Sequence, residues 1–256
     1  MFTPNGKFGW YELMTNDLAA SGKFYSDVVG WTTKDVSVAE MPYTTFNVGD
    51  AGVAGMLTVP GHSAWIGYIH VDDVDTHVEK IVEAGGKLWK GPTDVPGMLR
   101  FAVMSDPQGA AFVVFTSNPA MPSPPNPPKP PTPGTIGWHE LYAGDLETAW
   151  EFYSKMFGWT IVNDMDMGPM GIYRIFSDGD ATKTMGAGGM MTKDPKIPTP
   201  HWGFYIQVDA ISAAIGRVTA GGGKVINGPM QVPGGSWIIQ ATDPEGIFFN
   251  LVSSVE

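Results

Sequence analysis

A ten-residue phrase occurs twice in this chain: GWYELMTNDL at residues 9–18 returns as GWHELYAGDL at residues 137–146. The match continues, since DLAASGKFYSDVVGW at 17–31 aligns with DLETAWEFYSKMFGW at 145–159, both at an offset of 128 residues. Farther on, GPTDVPG at 91–97 aligns with GPMQVPG at 228–234 at an offset of 137, so the second copy has gained nine residues in between. Matches at separated places with one insertion indicate an internal duplication.

Each copy is itself made of two similar segments. DLAASGKFYSDVVG at 17–30 and DVDTHVEKIVEAGG at 73–86 both begin with Asp and end with Gly, with apolar residues at helical spacing between them. Asp suits a helix N-cap, and Gly suits the left-handed position after a helix. An alternating segment precedes each helix, and strand-like segments follow it. After the second helix of each copy, two of these segments are joined by the turn SDPQGA or TDPEGI. The sequence therefore predicts a strand–helix–strand–strand–strand module four times over.

Proline dominates the segment NPAMPSPPNPPKPPTPG at 118–134, which joins the two copies. Such a density of proline is incompatible with a helix or a central strand and favours an extended polyproline II spacer. We therefore predict a first domain at residues 1–118, a proline-rich linker at 119–134 and a second domain at 135–256.

The composition narrows the functional classes. With 26 acidic and 15 basic residues the net charge is −11, which disfavours nucleic acid and anionic membranes as partners. The absence of cysteine excludes disulfides, thiolate metal sites and a cysteine nucleophile. No signal-peptide pattern is visible, and no apolar stretch approaches the ~20 residues of a membrane-spanning helix. We expect a soluble cytoplasmic protein that is monomeric, because the duplication supplies internally the pairing that a single-domain protein reaches by dimerising.

The paired phrases, the GG-K…GP segments at 85–92 and 222–229 and the DPQG and DPEG turns resemble the vicinal oxygen chelate superfamily. This superfamily includes glyoxalase I, bleomycin-resistance proteins and extradiol dioxygenases, and the resemblance covers nearly the whole chain apart from the linker. It implies an α+β fold of two tandem domains, each a pair of βαβββ modules whose strands form an incompletely closed eight-stranded barrel around a cleft. In metal-dependent members the cleft holds a divalent cation that chelates neighbouring substrate oxygens.

The resemblance also implies where such a cation would be held. The matching residues are Trp10, Met56, Ile66 and Val113 in the first copy, and Trp138, Met190, Gly203 and Asn250 in the second. An indole nitrogen is only a donor, and divalent cations bind oxygen or imidazole ligands, so neither copy provides a ligand set. We therefore expect no metal cofactor in either domain, with a divalent metal at a rearranged site as the alternative.

The remaining candidate residues follow from strand alternation and from the resemblance together. Trp10, Glu12 and Met14 share one strand face, as do Trp138, Glu140 and Tyr142, and the resemblance makes these the cleft faces. A carboxylate in an apolar pocket must be hydrogen-bonded or have a raised pKa. Glu12 and Glu140 are therefore structural hydrogen-bond acceptors, residues at the contact between the two domains, or ligand-contacting catalytic bases. Trp10 and Trp138 are expected to bind a ligand. The cleft sides of other strands are expected to add the ligand-binding residues Tyr68, His70, Tyr205, Gln207 and Asn250. Two other histidines are expected elsewhere, His77 on the exposed side of a helix and His139 away from the cleft.

Three hypotheses for function stay open at this stage. The first is a protein that binds a small organic molecule in aromatic-lined clefts without a metal, with a cationic or hydroxyl-bearing ligand favoured by Glu12 or Glu140. The second is a metal-dependent enzyme of the glyoxalase or dioxygenase type, a lyase or an oxidoreductase, with a rearranged site. The third is a structural or regulatory protein whose clefts are filled by side chains.

Overall fold

The computed structural model describes residues 5–37, 42–120, 127–180 and 182–256. The first half of the chain forms β1 (Phe8–Met14), α1 (Leu18–Val29), β2 (Thr32–Asp35), β3 (Thr44–Val48), β4 (Ala51–Leu57), β5 (Ala64–His70), α2 (Val74–Glu83), β6 (Lys87–Val95), β7 (Leu99–Ser105) and β8 (Ala111–Ser117). The second half forms β9 (Ile136–Ala143), α3 (Leu146–Phe157), β10 (Thr160–Asp166), β11 (Ile172–Ser177), β12 (Gly188–Thr192), β13 (His201–Gln207), α4 (Ile211–Ala220), β14 (Lys224–Gln231), β15 (Trp237–Thr242) and β16 (Phe248–Ser253).

The strands form two eight-stranded mixed sheets with the same order. One sheet runs β2-β3-β4-β1-β5-β8-β7-β6 and the other runs β10-β11-β12-β9-β13-β16-β15-β14. Hydrogen bonds between the described strands do not join the two ends of either sheet, so neither sheet closes on itself. The predicted α+β fold of four βαβββ modules in two incompletely closed sheets is therefore confirmed. None of the described helices has the length and apolar character that crossing a bilayer requires.

The helix ends follow the predicted capping pattern in three modules. The side chain of Asp17 accepts a hydrogen bond from the backbone N–H of Ala20, and Asp73 and Asp145 cap α2 and α3 in the same way. Gly30 follows α1 with a φ of +89°, a conformation that glycine adopts without steric cost. The fourth helix begins after Ala210 without a side-chain cap.

Contacts between residues divide the chain into two compact units. The first compact unit comprises Met1–Gly9, Gly67–Ser123 and Trp138–Trp202, and the second comprises Trp10–Ile66, Pro124–Gly137 and Gly203–Glu256. Each compact unit therefore combines a module from one half of the sequence with a module from the other half. The sheets follow the two halves while the compact units do not, so the domain boundaries at residues 118 and 135 stay a prediction.

The proline-rich linker is described only in part, because residues 121–126 lie outside the described residues. Residues 127–134 are neither helix nor strand, in agreement with their proline content. The end of the linker is attached to the second compact unit, since the carbonyl of Gly134 accepts a hydrogen bond of 2.8 Å from Trp31 Nε1. In the first compact unit the carbonyl of Gly6 accepts the equivalent bond from Trp159 Nε1 at 2.7 Å.

A buried tyrosine connects the modules of the second compact unit. The hydroxyl of Tyr25 on α1 accepts a hydrogen bond from Trp65 Nε1 at 2.9 Å and donates one to Asp243 Oδ2 at 3.3 Å. Asp243 begins the DPEG turn, and its Oδ1 also accepts from the backbone N–H groups of Glu245 and Ile247 at 2.9 Å. A helix from the first half of the sequence is thereby attached to a hairpin from the second half.

The first compact unit has the same arrangement, but here the helix comes from the second half of the sequence and the hairpin from the first. The hydroxyl of Tyr153 on α3 accepts from Trp202 Nε1 at 3.0 Å and donates to Asp106 Oδ2 at 3.2 Å, and Asp106 begins the DPQG turn. Burial, followed by the negative charge of the neighbouring aspartate, raises the pKa of both tyrosines, so each hydroxyl stays protonated and remains a donor.

Replacing either tyrosine with phenylalanine should destabilise the protein. Tyr25→Phe and Tyr153→Phe each leave an indole N–H and a buried aspartate oxygen without the tyrosine hydroxyl, which should cost about 1–3 kcal/mol of the free energy of unfolding. Urea unfolding of the two variants measures this cost. The control is Trp89→Phe at a position that is 64% exposed, where we expect almost no change. Tyrosine variants as stable as wild type would contradict this role.

Two histidines are buried outside the candidate site. His139 is 2% exposed, stacks on Phe8 with ring centroids 4.1 Å apart, and donates from Nδ1 to the carbonyl of Ala187 at 2.7 Å. The prediction for His77 was wrong, because it is 8% exposed and its Nδ1 lies 2.9 Å from the carbonyl of Asp73. Burial, followed by the positive charge of Lys183, lowers the pKa of His139 from 6.5 to about 3.

His139 should make the protein acid-sensitive. Below pH 6.5 the unfolded chain takes up a proton at this residue while the folded chain does not until about pH 3, so stability is lost as the pH falls through this window. Within this window, His139 should lower the free energy of unfolding by about 1.4 kcal/mol for each pH unit. Urea unfolding between pH 7 and 4.5 should show a shallower loss for His139→Gln than for wild type, and an unchanged loss for the exposed control His62→Gln. Parallel curves for wild type and His139→Gln would refute the assignment.

Candidate ligand-binding site

Strand β1 shows the predicted alternation from Trp10 to its end at Met14. Trp10, Glu12 and Met14 are half-buried, while Tyr11 and Leu13 between them are buried. The face that carries Glu12 is therefore the more accessible side of the strand, and the opposite face belongs to the core.

Glu12 is hydrogen-bonded to a tyrosine that the sequence analysis did not select. Tyr43 donates its hydroxyl proton to Glu12 Oε1 at 2.7 Å and accepts a hydrogen bond from Trp10 Nε1 at 2.8 Å. An indole nitrogen can only donate, so the single hydroxyl proton of Tyr43 is directed to the carboxylate. Burial, followed by the charge of Glu12, raises the pKa of Tyr43, which keeps that proton in place.

A glycine makes room for this tyrosine. Gly55 on β4 lies directly opposite Glu12 in the parallel pair, and a Cβ atom on Gly55 would overlap the ring of Tyr43. The second copy repeats the arrangement, since Gly189 lies opposite Glu140 and a Cβ there would overlap the ring of Tyr173. The phrases YTTF at 43–46 and YRIF at 173–176 carry these tyrosines, so comparison of the copies was the signal that could have found them.

The second copy holds its glutamate differently. Trp138 Nε1 donates to Tyr173 at 3.0 Å, while the short hydrogen bond to Glu140 comes from the hydroxyl of Tyr142. The ring of Tyr142 stacks on His201 with centroids 4.9 Å apart. Burial is the largest influence on His201 and lowers its pKa, while the nearby charge of Glu140 acts in the opposite direction.

The two glutamates therefore have unlike surroundings. The first copy carries Met14 where the second carries Tyr142, and Ala64 where the second carries His201. Glu140 is 7% exposed, whereas Glu12 is only half-buried. His201 has no counterpart in the first copy, so the repeat pattern gave no reason to select it.

The other predicted ligand-binding residues are divided between the compact units. Tyr68 and His70 lie in the first compact unit, where both contact the ring of Phe115, and burial lowers the pKa of His70. Tyr205, Gln207 and Asn250 lie in the second compact unit, as does Glu12, whereas Glu140 lies in the first. The structure brings Tyr205 next to Asn250 in the strand pair β13–β16. Two groupings stay predictions. One is Glu12 with Tyr68 and His70, and the other is Glu140 with Tyr205 and Gln207.

The residues at the positions implied for a metal do not fit a divalent cation. The nitrogens of Trp10 and Trp138 donate to tyrosines, and the thioethers of Met56 and Met190 are buried. Asn250 offers a single oxygen, and its counterpart Val113 offers none. Among the described residues there is no group of three or more His, Asp or Glu side chains placed to hold a metal ion.

Comparison with known proteins identifies the family. The profile of the Glyoxalase/Bleomycin resistance protein/Dioxygenase superfamily matches residues 7–114 and again residues 135–251. "Putative glyoxylase CFP32" of Mycobacterium bovis is 30% identical over 268 residues, with 98% of this chain and 94% of that protein covered. "Anthracycline biosynthesis protein DauV" of Streptomyces sp. strain C5 is 30% identical over 274 residues, with 98% and 94% covered. The Mn(II)-bound glyoxalase of Novosphingobium aromaticivorans superposes with a TM-score of 0.66 at 15% identity, over 100% of this chain and 83% of that one.

The chain belongs to the Glyoxalase/Bleomycin resistance protein/Dioxygenase superfamily, whose profile covers it twice. The resemblance drawn from the sequence is thereby confirmed. The likeness to the manganese-bound glyoxalase shows a shared fold, because the two chains have only 15% identity.

Adding a methyl group at the two glycines tests whether they make room for the tyrosines. Gly55→Ala and Gly189→Ala should displace the rings of Tyr43 and Tyr173 and lower the free energy of unfolding by about 1–3 kcal/mol, as overpacking does. The matched control is Gly216→Ala in α4, where a Cβ meets no atom within 4 Å. That change should stabilise the helix by up to about 1 kcal/mol. Urea unfolding that ranks all three variants alike would contradict the packing described.

Proposed function

We propose that this protein binds a small, planar, hydroxyl-bearing or cationic organic molecule without using the superfamily's metal. The observation that carries the proposal is the Trp10–Tyr43–Glu12 chain, which sets an oriented carboxylate beside an indole on the accessible face of β1. Binding sites for small molecules combine aromatic surface with a few fixed polar groups of this kind.

The geometry supports binding by Glu12 in two ways. The hydrogen bond from Tyr43 orients the carboxylate before a ligand arrives, which lowers the entropy lost on binding. A ligand hydroxyl or ammonium group would donate to the carboxylate, while the ligand's planar part would lie against Trp10. We assign Glu140 the corresponding role in the second copy, with Tyr142 as its orienting residue.

The relatives add support for an aromatic ligand and for one alternative. A relative with 30% identity is named for anthracycline biosynthesis, and anthracyclines are planar hydroxylated aromatic compounds. The relative named as a glyoxylase favours the alternative of a metal-dependent lyase or dioxygenase with a rearranged site. Glu12 and Glu140 would be the bases or ligands in such an enzyme.

Removing the charge of each glutamate tests the proposal. Glu12→Gln and Glu140→Gln should weaken binding of catechol or 1,4-dihydroxyanthraquinone about 10- to 100-fold, since a hydrogen bond to a charged group contributes about 1.5–3 kcal/mol. Tryptophan fluorescence titration and thermal shift measure the affinity. Glu151→Gln, an exposed glutamate on α3, is the matched control and should bind like wild type.

Two outcomes would count against this function. If neither probe binds the wild-type protein, or if both bind the glutamine variants unchanged, the glutamates are structural acceptors. If Mn²⁺, Fe²⁺, Ni²⁺ or Zn²⁺ raises the melting temperature of wild type but not of Glu12→Gln or Glu140→Gln, the metal-dependent alternative replaces the proposal.

A further inference from the structure

A row of polar side chains crosses four strands of the second compact unit. Tyr205 on β13 pairs with Asn250 on β16, Asn250 pairs with Gln240 on β15, and Gln240 pairs with Asn227 on β14. Directly paired residues project from the same face of a sheet, so these four side chains form one continuous row, here called the amide row.

Hydrogen bonds link three members of the amide row. Asn227 Nδ2 donates to Gln240 Oε1 at 3.0 Å, and Gln240 Nε2 donates to the hydroxyl oxygen of Tyr205 at 3.4 Å. Asn227 is exposed, Gln240 is half-buried and Tyr205 is 3% exposed, so the row leads from solvent into the protein.

Asn250 stands in the middle of the row without joining these bonds. Its side chain is 0% exposed, and neither its Nδ2 nor its Oδ1 has a hydrogen-bond partner among the described residues. Burial removes an amide from water, and without a partner nothing offsets that loss. Natural proteins retain few such groups, and the usual explanation is a catalytic role or a partner such as an ordered water, an ion or a ligand.

The fold itself does not require polar residues in this row. At the equivalent positions the first copy has Val113 for Asn250, Val103 for Gln240 and Lys90 for Asn227, and these residues pair in the same register. The first copy forms the same strands with valines in the two inner positions. The amides are therefore a feature of the second copy that the shared strand arrangement does not require.

We propose that the amide row recognises a neutral ligand through an edge that places a donor beside an acceptor, as in a carboxamide, lactam or imide. This inference goes beyond the proposed function, because it concerns side chains other than Glu12 and Glu140 and is tested independently of them. Asn250 presents an acceptor, Oδ1, beside a donor pair, Nδ2, so an amide edge satisfies both atoms at once. None of the four residues carries a charge, so a carboxylate ligand would lose its hydration without ionic compensation.

The burial of Asn250 has a kinetic consequence. A ligand reaches it only after neighbouring side chains move, and Gln240 is the half-buried residue between it and the exposed end of the row. We therefore expect association to be slower than diffusion allows, because binding has to wait for this movement.

Benzamide, acetophenone and benzoate form a matched set of probes. They share one ring, but only benzamide offers a donor beside an acceptor. The side-chain NH₂ signals of Asn250 are assigned in a ¹⁵N-labelled sample by their loss in Asn250→Val, the residue that the first copy carries. Benzamide should shift these signals in wild type, and acetophenone and benzoate should bind at least tenfold more weakly.

The Asn250→Val variant completes the test. It should unfold at the same or higher urea concentration than wild type and should bind benzamide at least tenfold more weakly. The exposed Asn163→Val on β10 is the control and should leave benzamide binding unchanged. If Asn250→Val fails to fold, the shift of the wild-type NH₂ signals still decides the question.

Three results would overturn the inference. They are NH₂ signals that do not respond to saturating benzamide, equal binding by Asn250→Val, and a bound water that exchanges magnetisation with Asn250 and is not displaced by benzamide. If catechol binds through the glutamates while benzamide causes no shift of the Asn250 signals, only the role assigned to the amide row is wrong. If benzamide binds through Asn250 while catechol does not bind, the assigned role of Glu12 and Glu140 is wrong and the amide row stands.

Discussion

The structure depends on a tyrosine hydroxyl held between an indole N–H and a buried aspartate, once in each compact unit. Tyr25 and Tyr153 lie on the first helix of their own half, and the aspartates Asp243 and Asp106 lie in the last hairpin of the other half. The same aspartates accept two backbone N–H groups of their own turns, so one carboxylate fixes a hairpin and attaches a helix. Because the tyrosine and the aspartate are buried in both compact units, the geometry of this attachment is specified by hydrogen bonding as well as by packing.

Much of the fold could be predicted, because its signals are local. Asp17 and Gly30 mark the ends of a helix within fourteen residues, and the DPQG and DPEG turns mark hairpins within four. The composition of the compact units could not be predicted in the same way. All four modules share one pattern, so pairing within a half and pairing between halves satisfy the same apolar periodicity. Only three-dimensional contacts, such as the one between Tyr25 and Asp243, distinguish them.

The candidate site was predictable along the opening strand of each copy and not beyond it. Alternation along β1 placed Glu12 beside Trp10 on the accessible face. Tyr43 was missed because it precedes a different strand, and the space that Gly55 provides for its ring is visible only in three dimensions. His201 was missed because the first copy has Ala64 at the equivalent position, so the residue is not repeated.

Each compact unit combines one module from each half of the sequence, and this arrangement affects how freely the two copies can differ. If two identical polypeptides had formed the same pair of compact units, any substitution would have appeared in both at once. An asparagine in place of valine would then have put an uncompensated amide into each of them. In a fused chain one position can change while its equivalent stays hydrophobic, and Val113 and Asn250 differ in this way. The duplicated chain can thus keep one copy as scaffold while the other acquires new chemistry.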